Sequence, residues 1–378
     1  MPPDRTPENS PLPLLINAQQ DLDGLCEVIS SEDVIALDTE FVRTRTYKPQ
    51  LGLIQIAAGG NAVCIDPLAE LDYTQLWALL FDPQRQTIMH SATQDLEVMW
   101  FHCGAFTRNL IDTQVCAALL GYQPQIGYAG LVADLAGVTI SKEQTRTDWT
   151  RRPLSAEQID YAAKDVVYLG GMHGLLHDRL QECGRYEWAV EDSIALCRTG
   201  LYEPDIQGAW RRIKSVQFLP GAEQARARAL AEWREQRAVK LDKPRKWVMD
   251  DKAILSIAAA NPTDEQALGQ LNDVPDGLAR RQGGRLLKVL QAANDDYNDN
   301  PHKYVQQIAD RDADKALSKK LGAIIRRAAE SLELPAEIVG SKREITALMR
   351  GEEESRLLTG WRGELVGAEL QEVLQNAR

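Results

Sequence analysis

The sequence predicts a mixed α/β domain, in which helices cover a sheet, followed by an all-helical region. Three short apolar runs rich in β-branched residues, at 34–41, 51–57 and 62–65, are typical of consecutive strands. The Gly59-Gly60-Asn61 turn between the last two runs favours a hairpin. Strand and helix patterns then alternate, and strand patterns stop after about residue 205. This order predicts a mixed sheet with flanking helices and then a separate helical part.

The later elements of the sheet-containing part follow from the same periodicities. We predict two further strands, at 87–90 and 109–111, and five helices, at 70–80, 93–102, 113–120, 128–136 and 155–182. Ser155 is followed three residues later by Gln158, which is the pattern of a capping box. The last helix is therefore predicted to begin at this serine.

Beyond residue 205, Ala, Leu, Arg and Trp recur at helical spacing. The predicted helices lie at 219–240, 252–259, 264–271 and 278–293, and a second all-helical segment covers 313–378. The polar stretch NDDYNDNP at 294–301 predicts a linker between the two helical parts. We therefore predict three domains, which cover residues 1–205, 206–297 and 298–378, the last two being small and all-α.

The composition is that of an ordinary globular protein. Of the 378 residues, 44% are hydrophobic and 26% are charged, which is enough apolar material to form real cores. No apolar run approaches the roughly 20 residues that a membrane-spanning helix needs, and the polar, proline-rich beginning lacks a secretory signal. The six scattered cysteines form no CxxC pair, which argues against a disulfide scaffold or a zinc site. We expect a cytoplasmic protein.

The charge distribution leaves room for a nucleic-acid partner despite the net charge of −12. An acidic protein with a pI near 5.1 repels phosphates overall. Between residues 205 and 250, however, eleven Lys and Arg residues stand against six acidic ones. A local phosphate-binding surface is therefore compatible with the sequence.

Five residues form the candidate catalytic set. Asp38 and Glu40 are two apart in a predicted strand, so both project from one face, where burial is costly unless a cation lies between them. Asp95 lies in the first turns of a helix, and Tyr161 and Asp165 are four apart on a later helix and share a face. Carboxylates suit a hard divalent cation. Taken singly, each pattern is more typical of solvated or capping residues.

The set as a whole resembles a known enzyme class. A DxE strand, an Asp on a middle helix and a YxxxD helix, in this order, resemble the DEDD exonucleases of the tyrosine subgroup. The segments LDTEF, PQLGLIQIA, MHSATQDLEVM and DWTRRPLSAEQIDYAAKDVVYL resemble the ribonuclease D family over about residues 15–200. The helical segments at 215–297 and 313–378 resemble two copies of the helicase-and-RNase-D C-terminal (HRDC) domain, the second more loosely.

The resemblance implies a ribonuclease H-like mixed sheet and a metal-dependent 3′→5′ exoribonuclease. It implies two divalent ions, Mg²⁺ or Mn²⁺. Asp38, Glu40 and Asp165 would hold the ion that generates the attacking hydroxide. Asp38 would bridge to a second ion, near which Asp95 would act, while Tyr161 would hydrogen-bond the attacking water. The expected substrate is the 3′ end of precursor tRNA, and the expected products are nucleoside 5′-monophosphates. We expect a monomer that uses no membrane and no organic cofactor.

Further residues are candidates for contact with RNA. They are Thr39, Phe41 and His90, the basic residues Lys142, Arg146, Arg151 and Arg152 before the YxxxD helix, and Lys243, Arg245 and Lys246 beside Trp247. A structural role is the favoured alternative for His90, and a core position is favoured for Trp247. Phe41 suits a core position equally well. Asp112 is predicted to cap a helix, and Gln55, in an apolar strand, is interpreted as structural.

Two other functions compete with RNA trimming. A DNA 3′→5′ exonuclease would use the same four acids, so the motifs alone do not separate the substrates. A nucleic-acid-binding protein with structural carboxylates would need no catalysis at all. A nucleotide-cofactor enzyme is not supported, because no GxGxxG motif or P-loop follows the first predicted strand.

Overall fold

The computed structural model describes residues 14–140, 147–305, 312–351 and 355–377. Its six-stranded sheet has the order β1-β4-β3-β2-β5-β6. The strands are β1 (Leu14–Ile16), β2 (Val34–Val42), β3 (Gln50–Ala58), β4 (Asn61–Ile65), β5 (Gln86–Met89) and β6 (Leu110–Asp112). Strands β2, β3 and β4 pair antiparallel, whereas β1–β4, β2–β5 and β5–β6 pair in parallel. The prediction of a mixed sheet is confirmed.

Eight helices accompany these strands in the described chain before residue 196. They are α1 (Gln19–Ser30), α2 (Thr74–Leu80), α3 (Thr93–Cys103), α4 (Thr113–Leu119), α5 (Tyr128–Ala136), α6 (Ala156–Val167), α7 (Leu169–Glu182) and α8 (Tyr186–Ala195). The capping box is present, with Ser155 and Gln158 each accepting from the backbone N–H of the other. The prediction of one helix over 155–182 is wrong, because α6 ends before Tyr168 and α7 begins after it. Two glycines, Gly170 and Gly171, follow this break and weaken helix propensity there.

The sheet separates two hydrophobic layers, and β2 contributes to both. Ile35 and Leu37 pack into the layer that contains α1 and α3. Ala36 packs into the opposite layer with residues of α4, α6 and α7. Since side chains alternate along a strand, Asp38 and Glu40 project on the same side as Ala36. Strand β1 and helices α1 and α8 were not among the predicted elements, although α1 buries apolar residues at helical spacing.

The contacts divide the chain into two compact units. The first, called here the sheet unit, contains residues up to 42, 49–202 and from 313 onward. The second, the helical unit, contains 43–48 and 203–312. The structure therefore groups the C-terminal helices with the sheet, which differs from the predicted boundary at 297/298. The division of the sequence into three domains, at 1–205, 206–297 and 298–378, stays a prediction.

The helical unit has its own core. Its helices are α9 (Gly221–Leu241), α10 (Arg245–Val248), α11 (Asp251–Ala260), α12 (Glu265–Gly269) and α13 (Asp276–Asp299). Leu230, Ile254 and Leu286 are fully buried within it. The predicted core position of Trp247 is wrong, since this ring is 61% exposed on a helix of one turn.

The predicted linker at 294–301 is also wrong over most of its length, because α13 continues through Asp299. Its polar side chains form tertiary contacts that keep the helix intact. Asn294 accepts a hydrogen bond from Arg226 Nη1 at 3.0 Å and donates to Asn261 at 3.2 Å. The polar residues that suggested a linker are therefore ones that pack a helix against its neighbours.

The C-terminal helices pack directly on the sheet unit's other helices. They are α14 (Asp312–Ser331), α15 (Ala336–Val339), α16 (Lys342–Met349), α17 (Gly360–Arg362), a π-helical turn at Gly363–Gly367, and α18 (Ala368–Gln375). Trp361 stacks on Trp188 of α8 with ring centroids 4.5 Å apart. Arg362 donates to both carboxylate oxygens of Asp192 at 2.5 and 2.8 Å. These contacts make the C-terminal segment part of the same core.

No helix in the described ranges combines the length and apolar composition that crossing a bilayer requires.

Replacing Asp192 with Ala should destabilise the sheet unit strongly. The change leaves the Arg362 side chain, which is 3% exposed, without its counter-charge. We expect the free energy of unfolding to fall by about 3–5 kcal/mol, measured by urea denaturation followed by circular dichroism. Glu369→Ala, which removes the partner of the exposed Arg327, is the control and should cost less than about 1 kcal/mol. Equal losses for the two variants would contradict the assignment of Asp192 to a buried ion pair.

Candidate active site

Strand β2 supplies two carboxylates beside an irregularity in the sheet. Glu40 pairs with Leu53, but Phe41 pairs with Leu51, so Gly52 is an extra residue on β3. Such a bulge bends the strand and changes the direction of nearby side chains. Asp38 and Glu40 are both partly buried at this point.

Asp95 is positioned at the beginning of α3 by a direct hydrogen bond from Thr39 and, indirectly, by Asp112. Its Oδ1 accepts from Thr39 Oγ1 at 2.6 Å, and its side chain is almost fully buried. The turn before α3 is fixed by Asp112, whose carboxylate accepts from the backbone N–H groups of Ser91 and Ala92, each at 2.9 Å. Asp112 also caps α4, which confirms its predicted capping role. Strand β2 and the β6–α4 junction together therefore position Asp95.

Tyr161 and Asp165 lie one turn apart on α6, which packs against β2, β3 and β4. Both side chains are partly buried. Burial raises the pKa of Asp38 well above its ordinary value, and the charges of Asp95, Asp165 and Glu40 raise it further. The structure therefore brings the four acids within electrostatic reach of one another.

The remaining titrating groups respond to the same environment. Burial, followed by the charges of Asp165 and Asp95, raises the pKa of Glu40 to about 8. Burial raises the pKa of Asp95 to about 7 and that of Asp165 to about 7. Burial and the neighbouring carboxylates raise the pKa of Tyr161 to about 12, so its phenol stays neutral and can donate a hydrogen bond. Lys and Arg are not among the main influences on these groups.

The donor set fits a hard divalent cation. Four carboxylates offer only oxygen ligands, which Mg²⁺ and Mn²⁺ prefer. Across the described residues, no three His, Cys, Asp or Glu side chains already form a metal-binding group. The acids are thus close enough to interact electrostatically without forming a coordination shell.

Tyr161 is supported by the loop before α6, for which the sequence predicted contact with RNA and not packing against the tyrosine. The Trp149 ring, which is 2% exposed, stacks on Tyr161 with centroids 6.4 Å apart. The Trp149 backbone lies against Gly52, where an added Cβ would be 2.7 Å from its carbonyl oxygen. Arg152 fixes the loop by donating to Gly52 O at 2.7 Å and to Asp66 Oδ2 at 2.7 Å. Only glycine at position 52 allows this approach.

The structure assigns internal contacts to several predicted RNA-binding residues. Arg152 binds Asp66, and Arg245 donates to the buried Glu235 at 2.6 Å and lies over the Tyr47 ring. The two ring nitrogens of His90 lie within hydrogen-bonding distance of Thr113 and of the Ile126 carbonyl, as the favoured structural interpretation predicts.

The other candidates differ in exposure. Thr39 is buried against Asp95, and Phe41 packs partly into the layer of α1 and α3. Exposed candidates are Arg151, Lys243 and Lys246. Lys142 and Arg146 lie outside the described residues.

A mixed sheet that carries a DxE strand, an Asp at the beginning of α3 and a YxxxD helix defines a 3′→5′ exonuclease of the DEDD class. The family model described as 3′-5′ exonuclease matches residues 14–181, and the HRDC domain model matches 223–290. The chain is 35% identical to ribonuclease D of Gluconacetobacter diazotrophicus, covering 95% of this chain and 92% of that protein. It is 33% identical to ribonuclease D of Escherichia coli over 96% and 98% of the two chains.

The crystal structure of Escherichia coli RNase D, described as an exoribonuclease involved in structured RNA processing, superposes with a TM-score of 0.87. The identity is 32%, and the match covers 96% of this chain and 99% of that one. The chain therefore belongs to the ribonuclease D family and is an exoribonuclease. The predicted fold class and the predicted HRDC character of the first helical segment are confirmed.

The raised pKa values predict that the metal-free protein loses stability as pH increases. A carboxyl whose pKa is higher in the folded than in the unfolded state stabilises the fold while it is protonated. This contribution disappears as pH rises through the folded-state values near 7 and 8. In EDTA, the Tm of the wild type should therefore fall between pH 5 and pH 8, and Glu40→Gln should reduce this fall. The exposed Glu70→Gln is the control; a wild-type slope in Glu40→Gln would contradict the assignment.

Gly52→Ala should slow catalysis by displacing Trp149 from Tyr161. We expect kcat on a short RNA to fall about 10- to 100-fold, with Mn²⁺ affinity nearly unchanged, as measured by single-turnover hydrolysis and by calorimetry. In a Tyr161→Phe background the same change should have little further effect, because the two residues act as one unit. Gly24→Ala on α1, where an added Cβ meets nothing within 4 Å, is the control. Additive effects of Gly52→Ala and Tyr161→Phe would show that Gly52 acts elsewhere.

Proposed function

We propose that this exoribonuclease trims the 3′ trailers of precursor tRNA in the cytoplasm and releases nucleoside 5′-monophosphates. We further propose that it acts as a monomer with two divalent ions, Mg²⁺ or Mn²⁺, and no organic cofactor. One observation carries the metal-dependent chemistry: the charges of Glu40, Asp95 and Asp165 raise the pKa of the Asp38 carboxyl, and no basic side chain is among the main influences on Asp38 or Glu40. The relative from Escherichia coli, which processes structured RNA according to its description, supports the substrate.

The acids would divide into two overlapping ligand sets. Asp38, Glu40 and Asp165 would hold one cation, and Asp38 with Asp95 would hold the other, partly through water. Bound there, the cations would lower the pKa of the attacking water and stabilise negative charge on the departing 3′ oxygen. Thr39, on the face of β2 opposite Asp38 and Glu40, would keep Asp95 oriented by its hydrogen bond.

Tyr161 would orient the attacking water. Its phenol is neutral at physiological pH and lies one helical turn from Asp165, where it can hydrogen-bond a water between them. The water oxygen forms a bond to phosphorus while the bond from phosphorus to the 3′ oxygen of the preceding nucleotide breaks. That oxygen takes up a proton, so the shortened RNA ends in a 3′ hydroxyl and the released nucleotide keeps its 5′ phosphate.

Contacts to the RNA backbone would come from the exposed basic candidates. Arg151 lies in the loop before α6, and Lys243 and Lys246 shortly precede the exposed Trp247 in the helical unit. Arg152 and Arg245 are excluded from this proposed role because internal carboxylates already occupy their guanidinium groups. The sequence alone supports RNA contact by four further candidates, which are Lys142, Arg146, His90 and Phe41.

The deciding experiment uses a 5′-labelled tRNA that carries a few extra 3′ nucleotides, with Mg²⁺ or Mn²⁺. Wild type should shorten it stepwise from the 3′ end, Asp38→Ala should not, and Tyr161→Phe should act much more slowly. Nucleoside 5′-monophosphates should appear in step with shortening. In EDTA all shortening should stop.

Matched substrates separate the alternatives. If single-stranded DNA is shortened and RNA is not, the metal-dependent chemistry stands but the substrate is wrong. If trailers on unstructured RNA disappear as fast as those on tRNA, the preference for tRNA is wrong. The double variant Lys243→Ala/Lys246→Ala should weaken RNA binding and reduce its salt dependence, and an unchanged salt slope would remove these lysines from the interface.

A further inference from the structure

Gln55 in the middle of β3 has an unusual environment. Its side chain is 0% exposed, yet neither Nε2 nor Oε1 has a hydrogen-bond partner among the described residues. Buried polar side chains in folded proteins nearly always have partners, because an unpaired amide loses its bonds to water without replacement. A structural role, as interpreted from the sequence, does not explain an amide that bonds to nothing.

The position of Gln55 in the sheet links it to the carboxylates. It pairs directly with Asp38 on β2 and with Cys64 on β4, so the three residues form one row across three strands. Side chains directly opposite each other share a face, with Cβ atoms about 4.5–5.5 Å apart. The Gln55 side chain therefore projects from the same face of the sheet as the Asp38 carboxylate and not into the opposite layer.

The far end of this row confirms which face it occupies. Cys64 Sγ donates to the Ile159 carbonyl at 3.6 Å, and Ile159 belongs to α6, the helix that carries Tyr161 and Asp165. Leu53, the next β3 residue on this face, packs with Trp149 and with alanines of α6. The row is thus enclosed between the sheet and the catalytic helix.

A second buried glutamine in the described chain provides a comparison. Gln224 of α9 is also 0% exposed, but its Nε2 donates to the Gln217 carbonyl at 3.2 Å and to the Val305 carbonyl at 3.4 Å. Its donor group thus joins segments of the helical unit, as a structural glutamine would. The donor of Gln55 joins nothing and is available to a ligand or to a rearranged carboxylate.

We propose that Gln55 is a positioning residue of the metal site, whose amide donates to the Asp38 carboxylate, directly or through one buried water, when cations are bound. This inference rests on the proposed metal-dependent function. A carboxylate that binds a cation with one oxygen still needs a hydrogen bond to hold its orientation. A neutral amide supplies that bond without competing with the cation for the carboxylate charge, whereas Lys or Arg would compete. A Leu or Met side chain would fill the space but donate nothing.

Removing the Gln55 amide should weaken metal binding without lowering the stability of the metal-free protein. In the metal-free protein the unpaired amide is a cost, so Gln55→Met, which keeps the length of the side chain, should raise the Tm or leave it unchanged. The same variant should bind Mn²⁺ about 10- to 100-fold more weakly, which is the usual effect of losing a residue that orients a ligand. A purely structural glutamine predicts a lower Tm and an unchanged Mn²⁺ affinity.

The test measures Mn²⁺ binding to the full chain by calorimetry in the absence of RNA, together with Tm in EDTA. Gln224→Met is the matched control and should lower the Tm without changing the Mn²⁺ affinity. If Gln55→Met does not fold, Gln55→Asn, which keeps the amide but withdraws it by one methylene, is expected to show the same direction of loss.

Three outcomes are decisive. Weaker Mn²⁺ binding in the Gln55 variant alone supports the proposal. Wild-type Mn²⁺ affinity in a folded Gln55 variant overturns it and leaves the proposed metal-dependent function intact. If the wild type itself binds no Mn²⁺ or Mg²⁺, the metal-dependent function fails and the role of Gln55 fails with it.

Discussion

The gathering of four carboxylates, one buried and three partly buried, is the constraint on which this structure depends. The neighbouring acids raise the cost of ionising Asp38 and Glu40, and no basic side chain is prominent among the influences on these two carboxyls. An arrangement of this kind persists only if the surrounding fold supplies the stability that the site loses. Three features hold the acids together: the β3 bulge at Gly52, the hydrogen bond from Thr39 to Asp95 and the packing of α6 on three strands. A cation would convert this unfavourable cluster into a set of ligands.

One arginine, Arg152, connects two parts of the structure that supports the site. Arg152 carries two tasks, since it neutralises Asp66 and fixes the loop whose tryptophan stacks on Tyr161. Gly52 permits that loop to approach the sheet at the bulge beside Glu40. One short segment of β3 therefore influences both the carboxylates and the tyrosine.

The sequence predicted the parts of this site that depend on local spacing. Two acids two apart in a strand, and a tyrosine four residues before an aspartate in a helix, determine shared faces without knowledge of the fold. The ion pair of Asp66 with Arg152 joins residues far apart in sequence, and no local pattern indicates it. Composition misled at 294–301, where polar residues form tertiary contacts and most of the segment is helix. It also misled at Trp247, whose ring is exposed and not in a core. The grouping of the C-terminal helices with the sheet also depends on contacts that spacing does not encode.

Several arginines form internal ion pairs, which limits the positive charge that this acidic protein can offer to RNA phosphates. Arg152, Arg245 and Arg362 each contact a carboxylate that is buried or nearly so, and are therefore committed to the fold. These arginines cannot also hold phosphates without breaking their ion pairs, which would leave buried charges uncompensated. On the proposed mechanism, cations bound to the acids would give the scissile phosphate its main positive partner. Phosphate binding would then depend on the same carboxylates that carry the chemistry, and loss of one acid would impair both.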